Sequence, residues 1–505
     1  MKEKNYRLFL GTIIFLALFL RFFNFPSRWQ IYSDQARDAL VARGALKNKS
    51  LPLIGSFSSA GPFVFGPLFY WFVITGYWLG RSWLVSPWVL ITLVDVLLVF
   101  IISKIGCQLG NKKMALLTAF LAAISPNQIL RASNLTQHTL VNICTTLTIL
   151  FFILVYQKKR LKDLFFLGLS IALAISMHYQ ALNLVFYLSA VFFFFKQKKK
   201  NIILAFLSLA LGLLLPSLPL LYWDFGQKWA NIKNILDYFL IGQYRVWVSN
   251  RWLTYLTDFW PRFWAGVSGG QSIIGFSFML LVCFLGAFLL FKKKLKKELL
   301  FLGMILLVQI VLNRYYRGER FLGYLLYFHP LLLVLSSWAI FNLIKLKKAA
   351  GLLFLLIVVV FTLKKDIQLI KNQDNHLDKV YQTIAFLKDE YPNKKFSIYD
   401  FYYQEPALSQ ILSLFLDDQG LIDERDGVLL GVSPGPVKDL SPISRVSLSK
   451  DFYLYQLDDQ LISQKKRWIN VNPGYVYQDI LFWWKKRPLQ SSFSLKDYLK
   501  EKSGL

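Results

Sequence analysis

Long apolar stretches separated by short basic clusters set the rhythm of this chain. A membrane span needs about 20 apolar residues, with roughly 17 to 25 usual. Eleven stretches are read as spans: 8–24, 86–106, 114–131, 138–156, 163–178, 181–195, 202–222, 273–291, 299–313, 322–342 and 351–363. The stretch 62–79 is apolar enough to be a twelfth, but counting it would move Lys112–Lys113 and every later lysine cluster to the opposite side from the N-terminus. Left out, it allows the basic runs at 1–7, 104–113, 157–163, 196–200, 292–298 and 345–348 to share one side, as the positive-inside rule expects. It is therefore read as a juxtamembrane or re-entrant helix with Tyr70, Trp71, Tyr77 and Trp78 at the interface. The N-terminus is then cytoplasmic, and the outer face collects 25–85, 132–137, 178–180, 223–272 and 313–321.

After Leu363 the pattern changes to that of a soluble domain. Residues 376–390 read as an amphipathic helix, Phe396–Tyr399 as a strand, Pro406–Leu416 as a helix and Val428–Val432 as a second strand. The predicted fold class is an all-α polytopic membrane protein of about eleven transmembrane helices plus juxtamembrane helices over residues 1–363. It carries a small extracytoplasmic α/β domain over residues 364–505.

Composition sharpens this picture at three points. The 505 residues are 55% hydrophobic, which excludes an ordinary soluble enzyme. The net charge of +29 first suggests nucleic acid as a partner, but the six basic runs hold 22 Lys and Arg against 3 acids, a net 19 of that excess. The charge is thus a topology signal, and no nucleic acid is expected. Cys107, Cys144 and Cys283 lie far apart in or beside apolar segments, so neither a disulfide framework nor a cysteine metal site is supported. The segment 8–24 lacks a small-residue cleavage site and carries Arg21 near its outer end, as a retained helix would.

The candidate chemistry lies in the outer segments. Just beyond the first span stands Ser33-Asp34-Gln35-Ala36-Arg37-Asp38. Ser33 suits an N-cap, with a short helix following over 36–46, ended before Pro52. Asp34, Arg37 and Asp38 would then share one face. The bland reading is a solvated helix start; its place at the mouth of an apolar body favours chemistry. A second cluster, Asn313 to Phe321, holds Arg314, Arg317 and Arg320 on the side where basic residues are expected to be few. Arginine forks match phosphate, and Arg81 would serve the same end; the competing reading is contact with anionic lipid headgroups. Asn134, Gln137, His138, His178 and Tyr179 are further polar groups at outer turns, suited to contact a ligand. The histidines show no zinc-ligand spacing. Asp95 lies inside the second span with no partner legible in the sequence. The tryptophans of 223–272 are expected at the membrane interface.

The order of these features resembles the membrane-embedded C-type glycosyltransferases, especially bacterial relatives of the protein O-mannosyltransferases and of the lipid A aminoarabinose transferase. It runs from a first span through Asp34-Gln35-Ala36-Arg37-Asp38, Leu51-Pro52-Leu53, Gly61-Pro62 and Gly66-Pro67-Leu68-Phe69-Tyr70 to Lys112-Lys113, Ser125-Pro126, Arg320-Phe321 and His329-Pro330. The similarity covers roughly residues 1–345. It implies a polyprenyl-phosphate-linked sugar donor and an essential first-loop aspartate, which is Asp34 here. Many relatives have Asp-Glu where this chain has Asp34-Gln35, and several have an acidic residue where it offers Asn134 and Gln137. The resulting expectation is an inverting glycosyltransferase of the outer plasma-membrane face. Asp34 would be the base, Arg37 and Asp38 its neighbours, and Gln35 a substrate contact. The arginines at 81, 314, 317 and 320 would hold the donor phosphate. A glycan, lipid or protein would be the acceptor, and membrane lipids the surroundings. No cofactor is expected, and a divalent metal has no support in the sequence. The rivals are an O-antigen-type ligase or polymerase and a lipid or glycan transporter.

Overall fold

The computed structural model describes residues 1–58, 63–190, 202–240, 252–316, 322–371, 377–401, 407–437, 440–447, 451–464 and 468–477. Among them seven helices are long and apolar enough to cross a membrane, or eight if one bent pair counts as a span. This is a multi-pass membrane protein. Its first nine helices are α1 (Glu3–Phe22), α2 (Phe25–Arg28), α3 (Ser33–Lys47), α4 (Leu68–Leu79), α5 (Ser86–Leu109), α6 (Lys112–Ala123), α7 (Pro126–Ala132), α8 (Gln137–Lys158) and α9 (Leu161–Met177).

Several sequence expectations change in detail. The stretch 114–131 is not one rod: α6 and α7 meet at 56°. Pro126 has no N–H to give the Ala122 carbonyl and cannot continue α6. Arg21 takes up the carbonyls at this break, reaching Ala123 at 3.0 Å and Ala122 at 3.3 Å, while its Nε meets Asp95 at 2.6 Å. Asp95 therefore has a buried partner, and that partner seals the bend. The start of the 181–195 stretch is a 3-10 helix over Tyr179–Ser189; the rest of it, beyond Ala190, lies outside the described residues.

Helix α4 has twelve residues, about 18 Å at 1.5 Å per residue, against an apolar membrane thickness of about 30 Å. It does not span. Its Tyr70 and Tyr77 are fully buried in the protein rather than interfacial, whereas Trp78 is exposed. Trp260 and Trp264 of the aromatic loop are likewise core residues, and Trp247 lies outside the described residues.

Four of the basic runs meet at one end of the bundle. Lys112 pairs with Glu3 at 2.7 Å, Gln157 bonds Glu298 at 2.9 Å, and Lys296 reaches the Gln108 carbonyl at 3.4 Å. Helix α1 starts at this end with Glu3 and delivers α2 and α3 to the other.

The C-terminal elements appear where the pattern places them: helices Leu377–Glu390 and Ala407–Asp418, and strands β1 (Phe396–Phe401) and β2 (Val428–Ser433), paired in parallel with Phe396 opposite Val428. Three short strands, β3 (Ser444–Ser447), β4 (Asp451–Gln456) and β5 (Trp468–Asn470), complete a sheet of order β3-β4-β2-β1-β5. The Ala407–Asp418 helix packs on α3, so this unit shares an end of the protein with the acidic first-loop helix.

Candidate active site

Helix α3 starts at Ser33, earlier than the sequence suggests, and Tyr32 rather than Ser33 occupies the cap position. The Gln35 side-chain Oε1 accepts the Tyr32 N–H at 3.0 Å, and Gln35 Nε2 donates to Asn134 Oδ1 at 2.9 Å. The segment before it is pinned by four further bonds. Trp88 Nε1 donates to the Gln30 carbonyl at 2.8 Å, Gln30 N–H to the Ser133 carbonyl at 3.2 Å, and buried Arg28 to the carbonyls of Leu20 and Ile129 at 2.8 and 2.9 Å. Gln35 and Asn134 thus hold the helix in place and do not line the cavity described below.

On this helix one guanidinium is divided between two carboxylates. Arg37 Nη1 donates to Asp34 Oδ1 at 2.8 Å, while its Nε and Nη2 donate to Asp38 Oδ1 at 2.9 and 2.8 Å. The environments of the two acids differ sharply: the Asp34 side chain is 72% exposed and that of Asp38 is 8%. Asp38 also accepts the Tyr70 hydroxyl at 3.2 Å. Burial pushes its carboxyl up to about 6, against the opposing pull of Arg37. Asp34 Oδ2 has no hydrogen-bond partner among the described residues and is free to act.

Asp34 and Arg37 face a cavity of about 170 Å³ that also takes in Gln137, His138, His178 and Tyr179. Six of the side chains singled out in the sequence therefore share one space, although they come from α3, the start of α8 and the turn after α9. Backbone pairing of 55–58 with 63–65 supplies part of the wall: Gly55 N–H donates to the Phe65 carbonyl at 2.9 Å and Ser58 N–H to the Phe63 carbonyl at 3.0 Å, with Ser56, Phe57 and Phe65 lining the space. Ser56 donates to Gln137 at 3.1 Å. The His138 and His178 rings lie 4.4 Å apart, and Tyr324 packs on both at 4.9 and 4.8 Å. A larger and more apolar chamber of about 400 Å³, lined by Leu182, Val185, Phe186 and Leu312, adjoins it. Tyr179, Gln180, Phe239 and Tyr316 border both spaces.

The arginines are distributed differently. Arg314 is buried beneath Trp252 and Tyr255, with its guanidinium 5.6 and 5.9 Å from their ring centres, and lines neither cavity. Arg81 sits in an exposed left-handed turn (φ 51°) beyond α4 and also lines neither. Arg317 and Arg320 lie outside the described residues. Sequence reasoning missed Phe65, Tyr238, Tyr316 and Tyr324 as cavity residues, because apolar-looking aromatics in a membrane protein carry no local mark of a site. Among the described residues no three His, Cys, Asp or Glu side chains are grouped to hold a metal.

The comparisons with known proteins fall on this geometry. ArnT from Cupriavidus metallidurans, solved with undecaprenyl phosphate, is similar over 91% of this chain and 99% of its own, with a TM-score of 0.62 and 12% identity. The same protein without ligand matches over 89% and 97%, with a TM-score of 0.60 and 12% identity. The fold is that of ArnT. Residues 62–223 match the family described as dolichyl-phosphate-mannose-protein mannosyltransferase. The oligosaccharyltransferase of Archaeoglobus fulgidus is also similar, with a TM-score of 0.52 and 13% identity over 78% of this chain; the chain spans 59% of that protein's length. No curated protein sequence matches. The likeness to ArnT runs past residue 345 into the C-terminal sheet, further than the motifs alone reach.

Proposed function

We propose that the chain is an inverting glycosyltransferase that moves a sugar from a polyprenyl-phosphate carrier to an acceptor hydroxyl at the outer face of the plasma membrane. The observation that carries this reading is the free oxygen of Asp34, held by Arg37 at a polar cavity that shares wall residues with an apolar chamber. A lipid-linked sugar has that same division, with a polar head for the small space and a hydrocarbon chain for the larger one. The likeness to ArnT, solved with undecaprenyl phosphate, and the match to a family named for a dolichyl-phosphate sugar both support it.

In the proposed step the acceptor oxygen attacks the anomeric carbon as Asp34 Oδ2 takes its proton. The bond from that carbon to the phosphate oxygen breaks, and the polyprenyl phosphate leaves with the electron pair. Arg37 orients Asp34 through its bond to Oδ1. The imidazole and tyrosine faces of His138, His178 and Tyr324 offer flat surfaces for the sugar. Of the arginines proposed for the phosphate, Arg317 and Arg320 are the ones to test, since Arg314 and Arg81 line neither cavity. The side assignment follows from the basic end of the bundle, which the positive-inside rule makes cytoplasmic. Transfer assayed with Asp34→Asn tests the reading directly. A transporter would need a polar path across the midplane, and Asp95, the one intramembrane acid that suggested such a path, is locked to Arg21.

A further inference from the structure

Beyond the cavity, α3 carries a second set of contacts on the turns that follow Asp38. Arg43 lies where three parts of the chain meet. Its Nε donates to Asp417 at 2.5 Å and its Nη1 to Asp418 at 3.2 Å, both at the end of the Ala407–Asp418 helix. Nη1 also reaches the Ser82 carbonyl at 3.2 Å, in the turn between α4 and α5, and the guanidinium lies 5.5 Å from the centre of the Tyr77 ring. That turn holds two consecutive non-glycine residues in the left-handed region, Arg81 at φ 51° and Ser82 at φ 66°. Such a conformation is costly and persists where surrounding contacts impose it.

The neighbouring contacts run from α3 and the residues flanking it to the C-terminal unit. Lys47 pairs with Glu424 at 3.3 Å, and Tyr477 donates to the Ser50 carbonyl at 3.1 Å. Gly44 is pressed so closely that a side chain there would stand 2.4 Å from the Pro473 carbonyl oxygen. One turn before α3, Trp29 stacks on Phe415 at 6.1 Å. Lys47 and Glu424 are a surface pair worth little. Arg43 is different: its side chain is 12% exposed and its planar fork is committed to partners on two other segments.

We infer that Arg43 is a positioning residue, through which the C-terminal unit and the α4–α5 turn fix the setting of α3 and hence the place of Asp34 over the cavity. This rests on the proposed role of Asp34 but concerns residues that line neither cavity. Misplacing a catalytic group by about 1 Å costs up to roughly a hundredfold in rate. Loss of the clamp therefore lowers kcat while leaving the apparent KM for the donor little changed.

The test uses the full-length protein in detergent or nanodiscs, with Arg43→Ala, Asp417→Asn and the double variant. Asp417→Asn, at a partly exposed position, guards against an Arg43 variant that does not fold. Two readouts are taken: transfer from the polyprenyl-phosphate sugar fraction of host membranes, and hydrogen–deuterium exchange of peptides covering 33–47 and 86–109. The expected result is faster exchange in 33–47 but not in 86–109, with kcat down at least tenfold and KM within about threefold, as an orientation effect requires. The double variant is no worse than Arg43→Ala, because both changes break one contact. Unchanged exchange in 33–47, or faster exchange with unchanged kcat, overturns the inference. If the wild-type protein transfers no sugar, the proposed function fails. The exchange data still decide whether Arg43 holds the helix.

Discussion

Replacing Asp34 by Asn separates catalysis from folding more cleanly than any other change in this protein. The Asp34 side chain is 72% exposed, and its bond among the described residues is an exposed ion pair to Arg37, an interaction worth about 0–1 kcal/mol. Arg37 keeps its two bonds to Asp38 when Asp34 is neutralised. Asp34→Asn should therefore change stability by no more than about 1 kcal/mol. A positioned general base contributes roughly 10² to 10⁴ in rate, which is about 3 to 5 kcal/mol of barrier. The two magnitudes differ enough to be told apart in one preparation. The assay is single-turnover transfer by purified protein supplied with the polyprenyl-phosphate sugar fraction and acceptor-containing membranes of its host, with thermal unfolding followed in parallel. The expected result is a melting temperature near that of the wild type and transfer reduced by at least about a hundredfold. A folded variant with near-normal single-turnover rate would refute the assignment of Asp34 as the base.

Other changes test neighbouring parts of the argument. Asp38→Asn should reduce transfer far less than Asp34→Asn, because Asp38 is buried against Arg37 and Tyr70; equal losses in the two variants would move the chemistry along the helix. The Asp38 carboxyl titrates near 6 in the folded protein and near 3.9 when unfolded. The folded state thus holds this proton more tightly, a stabilisation present in full below about 4 and lost as pH rises through about 6, at most roughly 3 kcal/mol. Melting curves at pH 4.5 and 7 should show a larger loss for the wild type than for Asp38→Asn, and parallel curves would count against the burial argument. Arg320→Ala or Arg317→Ala should weaken donor use about ten- to a hundredfold, the loss of one charge-assisted hydrogen bond. Arg81→Ala should not, and unchanged donor affinity in both of the first two would assign that cluster to lipid headgroups. A cysteine at Lys294 should be shielded from an impermeant thiol reagent in intact cells and one at Asp426 should react; the reverse pattern would invert the topology.

How much of this was legible in the sequence depends on the reach of each interaction. Asp34, Arg37, Gln137, His138, His178 and Tyr179 could be picked out because each is a polar group at the end of an apolar run, and topology alone sends those ends to one face. Their partners could not. Arg21 meets Asp95 across 74 residues, Gln35 meets Asn134 across 99, and Arg43 meets Asp417 across 374. None of these pairs leaves a local period. Asn134 accordingly read only as a ligand contact, with its bond to Gln35 out of view. The parallel strands β1 and β2 were visible as apolar runs, whereas β3 and β5, with four and three residues, are too short to show alternation. The bend at Ser125-Pro126 had a sequence mark in Pro126; what it lacked was Arg21, without which the freed carbonyls would argue against burying a break there.

The division of Arg37 between two acids also limits the kind of base that Asp34 can be. A carboxylate is a far weaker base than the alkoxide of a sugar or serine hydroxyl. Full deprotonation of the acceptor before attack is therefore not available to this site. Sugar transfer does not require it, because its transition state is oxocarbenium-like, with the bond to the leaving group well broken as the nucleophile approaches. The acceptor proton becomes acidic only as the new bond forms, and a carboxylate placed on its path suffices at that moment. What the site must supply is placement. Asp34 Oδ1 is fixed by Arg37, Arg37 by the buried Asp38, and Asp38 by Tyr70 of α4, so the free Oδ2 is aimed by a chain of bonds that ends in the core. That order of dependence explains why the exposed acid is the one suited to chemistry and the buried acid the one suited to hold it.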